Sequence, residues 1–446
     1  VNVPLSSMSP QLADKMVKSF MALEALTPQQ ADELDRLIAG EPPIVPSPAI
    51  DWKLAYRKLF ANEGLHYTPW QQAVFFTALQ TKGFVILSGI SGTGKTKIAQ
   101  AFSAALPQPD DGRNVEFLTV RPDWRDSKSL LGYHNPITDR YEWTPFLRFL
   151  LRARESWEAR DGLAWFVILD EMNLAHVEHY FAELLSLLES GRDSDGWTRE
   201  AIQLPSNGDD DSPPASLNLP PNLHIIGTVN LDETTHAFSP KVLDRAFAME
   251  LVEVSFAGFP FAASTGASLE EQERTALLDA FSVGGDFPRI EQGALMARLQ
   301  HDSRPRDWLE SLNQQLRPAY MHFGYRVFDE ILAFVDLGMK NGLFAAFGDP
   351  DDPLVAPFDA AVQMKVLPKF HGSRAKLEDP LIRVLGWSLN PLNPDTTTVR
   401  QVVAQAMTAE AMEELLQMLP YQFPHTARRA IRLLRTAYVD GFAAFG

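Results

Sequence analysis

Residues 84–97 read Phe-Val-Ile-Leu-Ser-Gly-Ile-Ser-Gly-Thr-Gly-Lys-Thr-Lys. An apolar run passes straight into a glycine-rich turn that ends in Gly94-Lys95-Thr96. The spacing, Gly89, four residues, then Gly-Lys-Thr, is that of a phosphate-binding P-loop. Val85 to Leu87 predict a buried strand. Gly89, Gly92 and Gly94 permit positive φ, so backbone N–H groups can close around phosphate oxygens. Lys95 is placed to reach the β- and γ-phosphates, and Thr96 to offer a hydroxyl to Mg²⁺. A helix starting near Lys95 would aim the positive end of its dipole at the anion. The nucleotide-binding set is Gly89, Ser91, Gly92, Thr93, Gly94, Lys95, Thr96 and Lys97.

Working outward, strands are predicted at 84–88, 116–120, 165–169, 223–227 and 248–254, separated by helices near 95–105, 145–157, 177–190 and 240–245. Alternation of this kind predicts an α/β fold, a parallel sheet with helices on both faces. Before it, residues 1–50 read as two helices, the first with Met16, Phe20, Leu23 and Leu26 on one face. The proline-rich linker 41–49 follows them. Residues 51–256 make the α/β nucleotide-binding region. An insertion at 191–222 reads as a hairpin with an acidic tip at Asn207 to Asp211. Residues 257–446 are mostly helical in pattern.

A second motif makes the first specific. Trp165-Phe-Val-Ile-Leu-Asp170 is followed by Glu171, so an apolar run ends in two carboxylates, a Walker B pattern. With its strand expected beside the P-loop strand, Asp170 would hold Mg²⁺ and Glu171 would orient or deprotonate the attacking water. His224 to Asn230 is a further strand ending in an amide, which suits Asn230 to the γ-phosphate or the lytic water. Ser239-Pro240 opens a short helix that ends at Arg245. From there an arginine can project into a neighbouring subunit's nucleotide site and stabilise charge on the transferred phosphoryl group.

The chain of 446 residues has no cysteine and a net charge of −17. Disulfides and thiolate metal sites are excluded, and a reducing compartment fits. No apolar run is long enough to span a bilayer and no signal peptide is evident, so a cytoplasmic protein without a membrane partner is expected. A chain this acidic is a poor general polyanion binder. Any DNA contact is expected inside a ring, through a partner, or through a domain upstream of Val1.

These four elements, in this order, resemble the AAA+ superfamily of ring-forming NTPases. Within it, Asp170-Glu-Met-Asn to Glu189 and Gly227-Thr-Val-Asn to Arg245 resemble McrB-type proteins, motor subunits of modification-dependent restriction systems. The likeness covers roughly residues 65–255, and runs on more weakly through 323–331 and 365–374. It implies an AAA+ core followed by a helical lid, a homo-hexameric ring with nucleotide sites between subunits, and Mg²⁺-dependent hydrolysis. It also implies a McrC-type nuclease partner and a role in restriction of foreign DNA. Asn173 stands where the family has the asparagine of Asp-Glu-x-Asn, implying a hand in positioning water. Arg326, before an amphipathic helix at 327–337, stands where AAA+ lids carry an arginine that touches the γ-phosphate. Val229-Asn-Leu-Asp-Glu-Thr234 departs from the family's Met-Asn-Thr-x-Asp-Arg, and no Asn-Lys-x-Asp guanine motif is present, so ATP and GTP both stay open. The same chemistry would also suit a MoxR-like chaperone remodelling a protein client, or a nucleotide-gated scaffold for an effector. Tyr133 is a candidate pore-facing aromatic. Arg428, Arg429, Arg432 and Arg435 stripe the last helix, which reads either as a nucleic-acid contact or as lid salt bridges. His176 and His179 lack a third ligand, and no zinc is expected.

Overall fold

The apolar run that leads into the P-loop becomes an interior strand of a five-stranded sheet. The computed structural model describes residues 50–205, 212–231, 236, 238–252, 267–286, 299–347, 349 and 351–444. Residues 52–446 form one compact unit and residues 1–51 a second. The helices and linker expected within 1–49 lie outside the described residues, as does the acidic tip of the insertion.

Helix α1 (Trp52–Asn62) leads to α2 (Pro69–Lys82). Thr68 caps α2 reciprocally: its hydroxyl accepts from the Gln71 amide, and the Gln71 side chain accepts from the Thr68 N–H. Gly83 ends α2 at φ 68°, the left-handed conformation that only glycine takes cheaply, and turns the chain back into β1 (Phe84–Gly89). Then follow α3 (Lys95–Ala105), β2 (Val115–Thr119), a small hairpin of β3 (Tyr133–Asn135) and β4 (Arg140–Glu142), α4 (Pro145–Ala159) and β5 (Trp165–Asp170). The helix expected at 177–190 is two, α5 (Val177–Tyr180) and α6 (Ala182–Ser190). The insertion holds a short antiparallel pair, β6 (Ile202–Gln203) with β7 (Ser216–Leu217). The core closes with β8 (Leu223–Asn230), α7 (Pro240–Leu243) and β9 (Phe247–Glu250).

The sheet order is β2-β5-β8-β1-β9, and all its pairings are parallel. This corrects one expectation. The strand ending in Asp170-Glu171 does not lie beside the P-loop strand, because β8 separates them. Alternate residues of each strand feed opposite cores, as the period of two demands. Val85, Leu87, Phe166, Ile168 and Ile226 enter one apolar cluster, and Phe84, Ile86, Trp165, Val167 and Ile225 the other.

The first of these clusters continues without a break into the C-terminal helices: α8 (Glu271–Phe281), α9 (Arg304–Leu316), α10 (Tyr325–Asn341), α11 (Val355–Lys365), α12 (Arg374–Leu389), α13 (Thr396–Gln405), α14 (Ala409–Gln417) and α15 (Pro424–Asp440). Trp308, Phe358, Trp387 and Phe423 pack ring on ring at their centre, and the Trp387 indole donates to the Trp308 carbonyl at 3.0 Å. The buried Asp359 carboxylate accepts from the His425 and Thr426 amides at 2.8 and 2.7 Å, capping α15 from a neighbouring helix.

Polar ties fasten the helical region to the sheet. Arg429 and Arg432 both pair with Glu250 of β9, at 2.7 and 3.0 Å, and Arg435 pairs with Glu413 at 3.0 Å. Three members of the basic stripe are thereby committed within the chain. Lys365 donates to the Asp244 and Ala246 carbonyls at 3.0 and 2.9 Å, and pairs with Glu330 at 2.6 Å. Glu330 also pairs with Lys82 at the end of α2. Burial alone would raise the Glu330 carboxyl, but the ammonium groups of Lys365 and Lys82 outweigh it and hold the carboxyl down at about 2.

Glu330→Gln would leave the buried Lys82 and Lys365 amines without their counter-charge, a change that typically costs roughly 3–5 kcal/mol. Urea denaturation at neutral pH should show a loss of that size. The folded carboxyl lies below its ordinary value of 4.5, so its contribution is complete above pH 4.5 and is lost as pH falls toward about 2. That acid limb should be weaker in the glutamine variant.

Candidate nucleotide site

The carboxyl ends of β1, β5 and β8 come together at one edge of the sheet, and the functional side chains sit on the turns that leave it. The P-loop closes between β1 and α3. Its geometry shows why glycine is needed at two points. A Cβ on Gly89 would lie 2.4 Å from the Leu251 carbonyl oxygen, and one on Gly94, at φ 86°, would lie 2.7 Å from the Tyr67 hydroxyl. That hydroxyl donates to the Gly94 carbonyl at 2.8 Å and braces the loop from the segment before α2. Sequence reasoning missed Tyr67, because nothing in its local pattern marks it.

Lys95 is buried, and its ammonium donates to the Gly89 and Ile90 carbonyls at 2.8 and 2.6 Å. The charge is held over the mouth of the loop, where phosphate oxygens can take over those donors. Thr93 closes the turn by donating to the Ile90 carbonyl at 3.0 Å. Ser91, Gly92 and Lys97 are exposed on the loop and the first turn of α3.

The Thr96 hydroxyl donates to Asp170 Oδ1 at 2.7 Å, and the Thr228 hydroxyl donates to the same oxygen at 2.7 Å. The Glu171 amide in turn donates to Thr228 Oγ1 at 3.0 Å. Asp170 thus reaches the P-loop helix directly across the end of β8, and Thr228 of that strand steadies the same oxygen. It is a further residue that sequence reasoning missed. The available signal was a hydroxyl two positions before Asn230, on the same side of an apolar strand. Glu171 sits at φ 52°, ψ 48°, a left-handed conformation worth about 1–2 kcal/mol of strain for a residue with a side chain. Asn230 Nδ2 donates to Glu171 Oε1 at 2.9 Å, and Asn173 Nδ2 donates to the Asn230 carbonyl at 3.2 Å. Asp170, Glu171, Asn173 and Asn230 are therefore one connected group with Thr96.

The pair of hard oxygen donors on Thr96 and Asp170 fits Mg²⁺, which usually takes only one or two protein ligands and completes its shell with phosphates and water. Among the described residues no cluster of three or more His, Cys, Asp or Glu side chains forms a separate metal cage.

A small cleft lies between β9 and the helices α2, α11 and α15, lined among others by Trp70, Gln71, Val252, Gln363, His425 and Arg428. His425 lies flat on Trp70, with ring centroids 3.5 Å apart and planes 6° apart.

Arg245 and Arg326 are not brought to this edge. β9 starts at Phe247, which is opposite Val85, so Arg245 lies at the amino end of the sheet. Level with residue 83, it is six residues short of Gly89, about 20 Å along β1 at about 3.3 Å per residue. Arg326 pairs with Asp244 and Glu189, beside Arg245. The expectation that Arg326 reaches the γ-phosphate of its own P-loop is therefore not met by this arrangement, because α10 packs its first turn against the opposite edge.

These features define an AAA+ P-loop core with a helical lid. Residues 84–246 match the AAA domain of the dynein-related subfamily, and residues 288–442 match a domain of unknown function (DUF8727). Within the superfamily the chain is McrB-like. The type IV methyl-directed restriction enzyme EcoKMcrB subunit of Escherichia coli (strain K12) is 25% identical over 179 residues, 40% of this chain and 37% of that protein. The matched part is well under half of that relative's length. A Cytophaga hutchinsonii ATCC 33406 crystal structure, described as a candidate ATPase, superposes loosely: TM-score 0.40, 12% identity, covering 70% of this chain and 86% of that one.

Gly89→Ala should disrupt the loop against the Leu251 carbonyl and abolish binding of a fluorescent nucleotide analogue. At Gly92 an added Cβ meets nothing within 4 Å, so Gly92→Ala pays only for its φ of 80° and should keep measurable binding.

Proposed function

We propose that this chain is a Mg²⁺-dependent nucleoside triphosphatase that works as a ring, with each nucleotide site completed by the next subunit. The observation that carries the reading is the connected group Thr96–Asp170–Thr228–Glu171–Asn230 at the mouth of the P-loop. Lys95 and the loop amides would neutralise the phosphates. Thr96 and Asp170 would hold Mg²⁺, which supplies charge neutralisation at the β- and γ-phosphates. Glu171 would accept the proton of the attacking water, and Asn230, already bonded to Glu171, would fix its direction. Asn173 acts one step back, by holding the Asn230 backbone.

Arg245 lies far from its own P-loop, which suits a residue that serves a neighbour's site. Arg326 shares that edge and would go with it. The likeness to the EcoKMcrB subunit supports a role in restriction of foreign DNA, in which turnover drives movement along DNA or licenses a partner nuclease of the McrC type. With a net charge of −17, the chain suits DNA contact inside the ring or through that partner. Tyr133, exposed on the β3–β4 hairpin, would meet either one.

Hydrolysis of ATP and of GTP, with and without DNA, tests this directly. Glu171→Gln should keep nucleotide affinity and lower turnover at least about 100-fold, the scale of general-base loss. Lys95→Ala should lose binding itself. Absence of turnover with either nucleotide, alone or with DNA and a candidate nuclease, would overturn the enzymatic reading. Stimulation by a protein client but not by DNA would favour a remodelling chaperone.

A further inference from the structure

The edge of the sheet opposite the P-loop carries an ionic network that the nucleotide site does not use. Glu189, on the last turn of α6, pairs through one carboxylate oxygen with Arg245 and through the other with Arg326, the latter at 3.3 Å. Asp244 pairs with Arg326 and with Lys369 at 2.5 Å. Lys365 touches the Asp244 and Ala246 carbonyls and shares Glu330 with Lys82. Five cationic side chains are thereby linked to three carboxylates, on a chain whose overall balance is strongly acidic.

Three facts single out Glu189. It joins an arginine of the sheet region to an arginine of the helical region, so the two guanidinium groups are held side by side by one anion. It is itself half exposed, whereas the Arg245 side chain is only 10% exposed and is turned inward onto it. Both arginines keep a buried Nε–H with no acceptor among the described residues. A buried donor without a partner costs free energy that an oxygen-rich anion would recover. Paired arginines with spare donors are matched to a phosphate group, which accepts from several N–H groups at once.

We propose that Glu189 stands in for the γ-phosphate of a second copy of this chain. Its carboxylate parks Arg245 and Arg326 inward in the lone subunit, and they pass to the phosphate of the neighbour's nucleotide when two subunits dock. Glu189 is thus a positioning residue that sets how much nucleotide-loaded neighbour is needed before the arginines are released. No covalent bond is made or broken in the exchange; Glu189 gives up two ion pairs and Asp244 one, and a phosphate takes up the two guanidinium groups. The proposal rests on the reading of Arg245 as a residue acting between subunits, and the experiment separates the two.

The measurement is specific turnover as a function of protein concentration, for the full chain and for Glu189→Gln, with the preferred triphosphate and Mg²⁺. Glutamine keeps the size and removes the charge. The variant should reach half-maximal specific turnover at a protein concentration at least threefold lower, with the plateau retained and an unchanged urea midpoint. An unchanged concentration dependence, or a fall in the plateau, would overturn the parking role. In parallel, Arg245→Ala and Glu171→Gln are mixed. Turnover that neither has alone shows that Arg245 acts on the neighbour, whatever Glu189 does. A mixture that stays inactive removes the inter-subunit reading, and the role of Glu189 with it. If Glu189→Gln lowers the urea midpoint while leaving the concentration dependence alone, Glu189 is a structural tie only.

Discussion

One carboxylate oxygen organises this molecule. Asp170 Oδ1 accepts from the hydroxyls of Thr96 and Thr228, which come from the P-loop helix and from a different strand. Although β8 lies between β5 and β1, the acidic end of β5 meets the P-loop helix directly, and Thr228 of the intervening strand donates to the same oxygen. Thr228 also accepts from the Glu171 amide. The left-handed backbone of Glu171 persists because this bond and the Asn230 amide hold it at both ends.

Around that point the structure divides its polar chemistry between the two edges of the sheet. The carboxyl edge collects the P-loop, the acidic pair and the amides. The amino edge collects Arg245, Arg326 and the lysines, far beyond the reach of any side chain on the first edge. A single copy therefore holds two incomplete halves. That separation is a consequence of parallel strands, since every strand leaves the sheet at one edge and returns at the other. The helical region is tied to the amino edge through Glu330 and Lys365, and to β9 through Glu250. A shift of the lid relative to the sheet would thus be felt by both arginines.

Much of this was legible in the sequence. The strands around 84–89, 165–170 and 223–230 announce themselves as apolar runs ended by glycine or carboxylate. The P-loop glycines and Lys95 are read from spacing alone, since backbone sterics leave few other ways to wrap a phosphate. What was not legible depends on contacts distant in sequence. Thr228 and Tyr67 look like ordinary residues until β8 and α2 are set against the P-loop. The arginines of the last helix read as salt bridges within the lid or as a nucleic-acid face. Only packing shows that Arg429 and Arg432 are spent on Glu250.

The sequence by itself determined the local chemistry: a phosphate-binding turn, an acidic strand end, and an amide on a later strand. Each of these rests on short-range sterics and periodicity. The tertiary structure decided the order of the strands, with β8 inserted between the two motifs, and the edge to which each arginine belongs. Those choices follow from which apolar faces bury one another, a property of the whole core. For that reason Arg326, read from its neighbours as a partner of the nearby phosphate, stands instead beside Arg245 on the side that faces away from it.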